Sequence, residues 1–407
     1  MLGLSNRLLR IFAFAFAALV ALHYIGTTTS PSYQAQVDTL RSSLSKTSTS
    51  YGGDHTRPVS STSIGTISPK ANATFYVLCR EKELNDILHS IFQLETTFND
   101  KPQNRYPYVF LNEVPFSDAF KLRIQRAVSG TAEFGLIPPE MWNIPPHIDI
   151  ERAHKAWKKA KSQGMPYGGS ASYRMMCRFN SGRFYDHPLM QQYEYYWRVE
   201  PGVRFYCDLG DFDPFRFMQH NNKKYGWTIA LHEIPGTVTT LWINVRNWYQ
   251  KYPHFLAQNN LWRFVTDDNG RGYNKCHWWS NFEIASMSWM RGEAYRSFFN
   301  HLDEVGGFFY ERWGDAPVHS IGASLLLDKS EFHYFDNIGY YHPPMIHCPK
   351  PKPGNQLAAN GRSTCYCAHE SSFDFEDNGN SCLPKYLEIM GINATEAKAN
   401  FMRTDDI

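Results

Sequence analysis

Apolar positions fall into three regimes along the chain. From Ile11 to Ile25 they are almost continuous, with His23 and Tyr24 near the end of the run. From Gly26 to Lys70 large apolar side chains are sparse, and Thr27-Thr28-Thr29-Ser30, Thr47-Ser48-Thr49-Ser50 and Ser60-Ser61-Thr62-Ser63 set the character. From Ala73 onward short apolar runs alternate with stretches of helical spacing. Ala73 to Cys79 reads as a buried strand. Leu84, Ile87, Leu88, Ile91 and Leu94 then predict a helix from Glu81 to about Thr97 that packs one face on a sheet. Tyr108 to Leu111 is a second strand and Ser117 to Val128 a second helix; Trp227 to Leu231 is a later strand, followed by a helix near Thr237 to Tyr249. Strand-helix alternation implies an α/β fold, its ligand at the carboxyl ends of the strands. No GxGxxG follows these strands and no GxxxxGK[ST] occurs, so dinucleotide and P-loop readings fail. Past Pro349 come Lys350-Pro351-Lys352-Pro353-Gly354, three cysteines and a polar stretch, read as a tail stapled onto the domain.

The N-terminal regimes place the protein. Arg7 and Arg10 precede the apolar run, and no small-x-small cleavage site follows it, which favours an uncleaved signal anchor over a cleaved signal peptide. The positive-inside rule makes residues 1–10 a cytoplasmic tail, 11–25 a transmembrane helix, 26–72 a lumenal Ser/Thr-rich stem that cannot offset its ordering entropy, and 73–407 a lumenal catalytic or binding domain. The expected arrangement is single-pass type II with the globular domain lumenal, and a span this short suits a thin membrane of the early secretory pathway. Sequons at Asn72-Ala73-Thr74 and Asn393-Ala394-Thr395 agree with a lumenal domain. So do eight cysteines, an even count that suggests structural disulfides. Cys365-Tyr366-Cys367 has one intervening residue where a zinc knuckle has at least two, so zinc is disfavoured.

Composition narrows the partners. The 407 residues carry 41 Lys+Arg against 39 Asp+Glu, a net charge of +2 that excludes a nucleic-acid backbone binder. Aromatics make up 15%, material for stacking against sugars and nucleobases.

Candidate chemistry concentrates in a few segments. Glu200 ends the aromatic run Tyr195-Tyr196-Trp197-Arg198-Val199, where a strand would deliver a carboxylate to the sheet's carboxyl edge to bind a divalent cation, or would simply turn before Pro201. Asp208, Asp211 and Asp213 are a second acidic cluster, read either as metal ligands or as capping and turn residues before Pro214. Glu283 sits in His277-Trp278-Trp279-Ser280-Asn281-Phe282-Glu283-Ile284, placed to face an anomeric carbon beside tryptophans or to serve as a core ion-pair partner. Gly306 to Ser320 packs acid, base and aromatics between glycines, and Tyr340-Tyr341-His342-Pro343-Pro344 holds a histidine between rigid neighbours.

Together Tyr195 to Pro201, Phe205 to Asp208, Ser280 to Ile284, Gly306 to Ser320 and Ile338 to Pro344 resemble the fungal Golgi α-1,2-mannosyltransferases, glycosyltransferase family 15, across nearly all of Ala73 to Pro349. The resemblance implies an α/β GT-A-like catalytic domain with a mixed central sheet, held in the lumen at the Golgi membrane, that uses GDP-mannose and Mn²⁺ and transfers mannose, with retention, to the 2-hydroxyl of a mannoside on N- or O-linked glycans or glycolipids. It implies metal ligation by Glu200 and His342, a nucleophile or charge-stabilising role for Glu283, a tyrosine near the donor diphosphate at Tyr173, a nucleotide-binding arginine at Arg80 and a further site residue at Asp315. An inactive, lectin-like mannan binder is the alternative of a different class, and a retaining glycoside hydrolase a third; Glu200, Glu283 and His342 together argue against pure binding.

Overall fold

The computed structural model describes residues 70–350, 365–376 and 378–402. The expected tail and anchor, and all but the end of the expected stem, lie outside these residues. Among the described residues no helix is long and apolar enough to cross a membrane.

Twelve strands form: β1 Ala73–Leu78, β2 Tyr108–Asn112, β3 Ala132–Leu136, β4 Tyr195–Arg198, β5 Arg204–Phe205, β6 Tyr225–Trp227, β7 Ala230–His232, β8 Cys276–Trp278, β9 Ile284–Ser286, β10 Phe332–Tyr334, β11 Tyr340–His342 and β12 Met345–His347. Seven make one mixed sheet in the order β10-β6-β9-β4-β1-β2-β3. β1 pairs in parallel with β2 and β4, and β6 with β10, whereas β9 runs antiparallel to both β4 and β6. The reversal of β9 puts the residues that precede it at the same edge as the carboxyl ends of the other strands. Two small sheets, β12-β11-β5 and β7-β8, flank this edge.

The inner strands are apolar on both faces because both are covered. Phe75, Val77 and Trp197 face one way, where Phe75 meets Trp197 at 5.6 Å and Phe215 at 5.6 Å between ring centroids. Tyr76, Tyr196 and Tyr225 face the other way, in the core shared with helices Ala171–Gly182, Glu293–Val305 and Asp315–Leu326. Helix Leu84–Leu94 buries Ile87, Ile91 and Leu94 as the spacing requires and continues as one π turn, Glu95–Asn99. Helix Asp118–Gln125 starts where Ser117 accepts from the Phe120 amide. The second face is packed by α1 Ala171–Gly182, α2 Glu293–Val305 and α3 Asp315–Leu326.

The segment Trp227 to Leu231 is not one strand. It ends in the main sheet at Trp227, passes through buried Thr228 and Ile229, and resumes as β7 against β8. A strand that changes sheets remains apolar throughout, so hydrophobicity alone does not mark the break. The following helix starts at Leu241 rather than Thr237, because Pro235-Gly236-Thr237 forms a separate 3-10 turn.

Three disulfides, Cys207–Cys365, Cys276–Cys382 and Cys348–Cys367, tie residues beyond Pro349 to the sheets. The even count does not mean four bridges: Cys79 and Cys177 are buried free thiols in separate core clusters, and burial pushes both thiols well up. Non-reducing peptide mapping is expected to recover three cross-links, and maleimide should label Cys79 and Cys177 only after unfolding. Labelling of either thiol in the native protein would contradict this packing.

Candidate active site

A cavity of about 650 Å³ opens at the sheet's carboxyl edge. β1 delivers Arg80, β2 Glu113 and β4 Arg198 and Glu200, while the segment before the reversed β9 delivers Trp279 and Ser280. α1 contributes Tyr173, α3 Asp315, and β11 His342.

Arg198 is the centre of the wall. Strand alternation turns it to the same face as Tyr196, and its side chain is 7% exposed. One guanidinium nitrogen donates to Asp315 and lies 3.4 Å from Ser280 Oγ; the other donates to Glu200 Oε1 at 2.5 Å. Ser280 donates to Asp315 at 2.7 Å, and Asp315 is the first residue of a 12-residue helix whose N-terminal dipole favours an anion. Burial works against ionisation of Glu200, but Arg198 and then His342 outweigh it and hold the carboxyl down at about 2. Asp315 is likewise lowered, with burial opposed by Arg198.

Across the cavity, His342 Nε2 lies 3.5 Å from Glu200 Oε2, and the imidazole packs edge-on to Trp279 at 4.6 Å. His342 Nδ1 is 3.1 Å from the Pro343 carbonyl, which can only accept, so Nδ1 donates there and the other ring nitrogen faces Glu200. A carboxylate oxygen and an imidazole nitrogen facing one another in this way suit one intermediate-softness divalent cation, so the residues present fit the expected metal. Arg80 pairs with Glu113 through Nε at 2.9 Å. At the far wall Arg312 donates to the Tyr173 hydroxyl at 2.9 Å and approaches Glu233 at 3.5 Å. Tyr167, 63% exposed, stacks on Tyr173 with ring centroids 4.4 Å apart.

Arg80, Tyr173, Glu200, Asp315 and His342 therefore meet in one cavity. Glu283 does not reach its wall. Its side chain is fully buried beneath it, where Tyr196 and Tyr225 donate to its carboxylate and His319 Nδ1 lies 2.9 Å away. His319 Nε2 is 2.9 Å from the Asn180 carbonyl, so both ring nitrogens face acceptors. Burial lowers the His319 pKa, but Glu283 outweighs it and the net shift is upward, toward an imidazolium. The arrangement answers to the core ion-pair reading of Glu283, and direct attack on a sugar would require this enclosure to open. Trp278 and Phe282 are core, whereas Trp279 lines the cavity. The second acidic cluster takes its capping reading: Asp213 accepts from the Phe215 and Arg216 amides, and Asp208 pairs with Lys101. His232 sits with Cys276 and Cys382, but those sulfurs are joined to each other.

Three wall residues, Arg198, Glu233 and Arg312, had no role in the sequence reading. Arg198 was legible in principle, being two positions before Glu200 and so on the same strand face, and Arg312 is the base of the Gly306 to Ser320 segment; Glu233 carries no local signal, because only the sheet switch after β6 brings it to the wall.

An α/β sheet whose carboxyl edge combines a deep cavity, an acid-imidazole pair and buried arginines is the architecture of nucleotide-using enzymes. The chain belongs to the glycolipid 2-alpha-mannosyltransferase family, whose model matches residues 32–391. O-glycoside alpha-1,2-mannosyltransferase omh1 of Schizosaccharomyces pombe is 49% identical over 317 residues, 78% of this chain and 78% of its own. Alpha-1,2 mannosyltransferase KTR1 of Saccharomyces cerevisiae is 46% identical over 321 residues, 79% of each. Among solved structures, core-mannan synthase A (CmsA/Ktr4) of Aspergillus fumigatus in its Mn/GDP form superposes with TM-score 0.73 at 37% identity, covering 84% of this chain and 92% of that one. Mannosyltransferase Ktr4p of S. cerevisiae with GDP gives 0.70 at 35% identity, covering 84% of each.

Arg198→Met, which leaves two carboxylates without their buried partner, is expected to cost about 3–5 kcal/mol in urea unfolding. Adding Glu200→Gln and Asp315→Asn should recover most of that loss. An unchanged midpoint in the single variant would remove Arg198 from the centre of the site.

Proposed function

We propose that the protein is a retaining α-1,2-mannosyltransferase that moves mannose from GDP-mannose to the 2-hydroxyl of a mannoside acceptor, using a GT-A-like carboxyl-edge site. The observation that carries this is the meeting of Glu200, His342, Arg198, Asp315, Tyr173 and Arg80 in one cavity of a family member. Glu200 and His342 would hold Mn²⁺; when bound, the cation offsets the charge that builds on the departing diphosphate. Arg80 sits at the end of β1 where a guanidinium can bind the nucleotide, and Tyr173, fixed by Arg312, approaches the donor diphosphate. Asp315, ionised and aimed into the cavity, stabilises positive charge at the anomeric centre.

Enclosure of Glu283 favours a front-face route over attack by Glu283 to form a mannosyl-enzyme. In it the acceptor hydroxyl attacks from the leaving-group face, its proton passes to the departing diphosphate, and Glu283 acts only through the charge it places behind Tyr196 and His319. We further propose a type II arrangement in the Golgi membrane through residues 11–25. A lectin-like binder would not require the paired Glu200 and His342.

Mannose transfer from GDP-mannose to methyl α-mannoside should require a divalent cation, stop with chelator and give an α-1,2 linkage by NMR. Glu200→Ala and His342→Ala should each lower kcat/KM by about two orders of magnitude and weaken metal-dependent GDP binding. Free mannose released without GDP-mannose, or folded protein with no transfer, would overturn the assignment.

A further inference from the structure

A second pocket, of about 330 Å³, lies beside the first, and the two share the chain segment after β7: Glu233 and Ile234 line the active-site cavity, and Pro235 begins the lining of the second. The Glu233 amide donates to the Lys275 carbonyl at 2.8 Å, so the strip between the pockets is held by the same residue whose side chain lines the second.

The lining is charged in one sense only. Arg246, Arg271 and Lys275 contribute three cations and no lining residue is acidic, in a chain whose net charge is only +2. Arg271 bonds the Asp268 carbonyl through Nε at 3.1 Å; the Asp268 carboxylate, outside the lining, accepts from the Thr266 hydroxyl and the Gly272 amide at 2.9 and 2.8 Å and attracts the Arg271 charge. Arg246 reaches the Arg271 carbonyl at 3.5 Å, while its Nε is buried without a partner. Three cationic side chains around one pocket with no acidic lining residue suit an oxyanion. The remaining wall is apolar and aromatic: Trp242 stacks on Tyr273 with ring centroids 5.8 Å apart, and Ile243 is 49% exposed. Cations on one side and a ring-bearing apolar wall on the other match a ligand with an anionic end and a sugar C–H face.

We propose that this pocket binds a phosphate group esterified to a sugar. It rests on the mannosyltransferase reading only for the choice of sugar, the phosphosugar being carried by an acceptor whose terminal mannose enters the neighbouring cavity. Three cations supply charge and donors for the phosphate oxygens, and Trp242 with Ile243 supports the ring.

The test uses the full chain in detergent with GDP and Mn²⁺ saturating the first cavity, titrated calorimetrically with mannose 6-phosphate. Saturable binding is expected, about tenfold weaker in Arg246→Gln and in Lys275→Gln, with inorganic phosphate and unmodified mannose each binding at least about tenfold more weakly than mannose 6-phosphate. Transfer to methyl α-mannoside should stay unchanged in both variants, which shows that they fold and separates a failure here from a failure of the enzymatic assignment. No binding, equal affinity for inorganic phosphate, or unaltered affinity in both variants would overturn the proposal. Binding to phosphatidylinositol-phosphate vesicles without binding to mannose 6-phosphate would overturn it in favour of a lipid headgroup.

Discussion

A single buried guanidinium, Arg198, is compensated on two sides by carboxylates that could not be ionised in the same space without it. Removing an ion from water costs several kcal/mol, so this charge persists only because Glu200 and Asp315 meet it with good geometry and Ser280 satisfies Asp315 further. The consequence is functional. Glu200 is fixed by one oxygen to Arg198 and left with the other toward His342, and Asp315 is fixed at a helix start toward the cavity. A site that must stabilise changing charge has its dipoles set before substrate arrives.

The sheet makes this convergence possible. Because β9 alone runs backwards, the chain entering it crosses the carboxyl edge and brings Ser280 and Trp279 to the wall. Immediately afterwards the chain descends into the sheet, which takes Glu283 below the floor and next to Tyr196, Tyr225 and His319. Two residues of separation thus distinguish a wall residue from a buried one. The buried Glu283 and His319 form a compensated pair behind the cavity, joined to α1 through the Asn180 carbonyl.

Much of this was legible in the chain. The strand at Ala73 and the helix after it follow from strong periodicity, and Glu200 stands out as a carboxylate closing an aromatic run, although spacing alone left a cation ligand and a turn before Pro201 equally open. The switch between sheets at Thr228 and Ile229 was not legible, since both sides of it are apolar. Arg198 was placed on the right strand face by its spacing to Glu200, but its role as a clamp was not legible, because one of its two partners lies 117 positions away. The burial of Glu283 was equally hidden: a carboxylate among tryptophans gives one pattern whether it lines a cavity or lies beneath one, and only the tertiary positions of Tyr225 and His319 decide.

The most direct test of the Arg198 clamp is the pH dependence of unfolding for metal-free wild type against Glu200→Gln. A carboxyl at about 2 in the folded state and at the ordinary 4.5 when unfolded contributes stability that is complete above 4.5 and is lost as pH falls through 2. The wild-type advantage should therefore be larger at pH 6 than near pH 2, by about 3 kcal/mol. A difference between the two proteins that stays constant over this range would mean that Glu200 titrates normally, and would contradict the clamp on which the site is built.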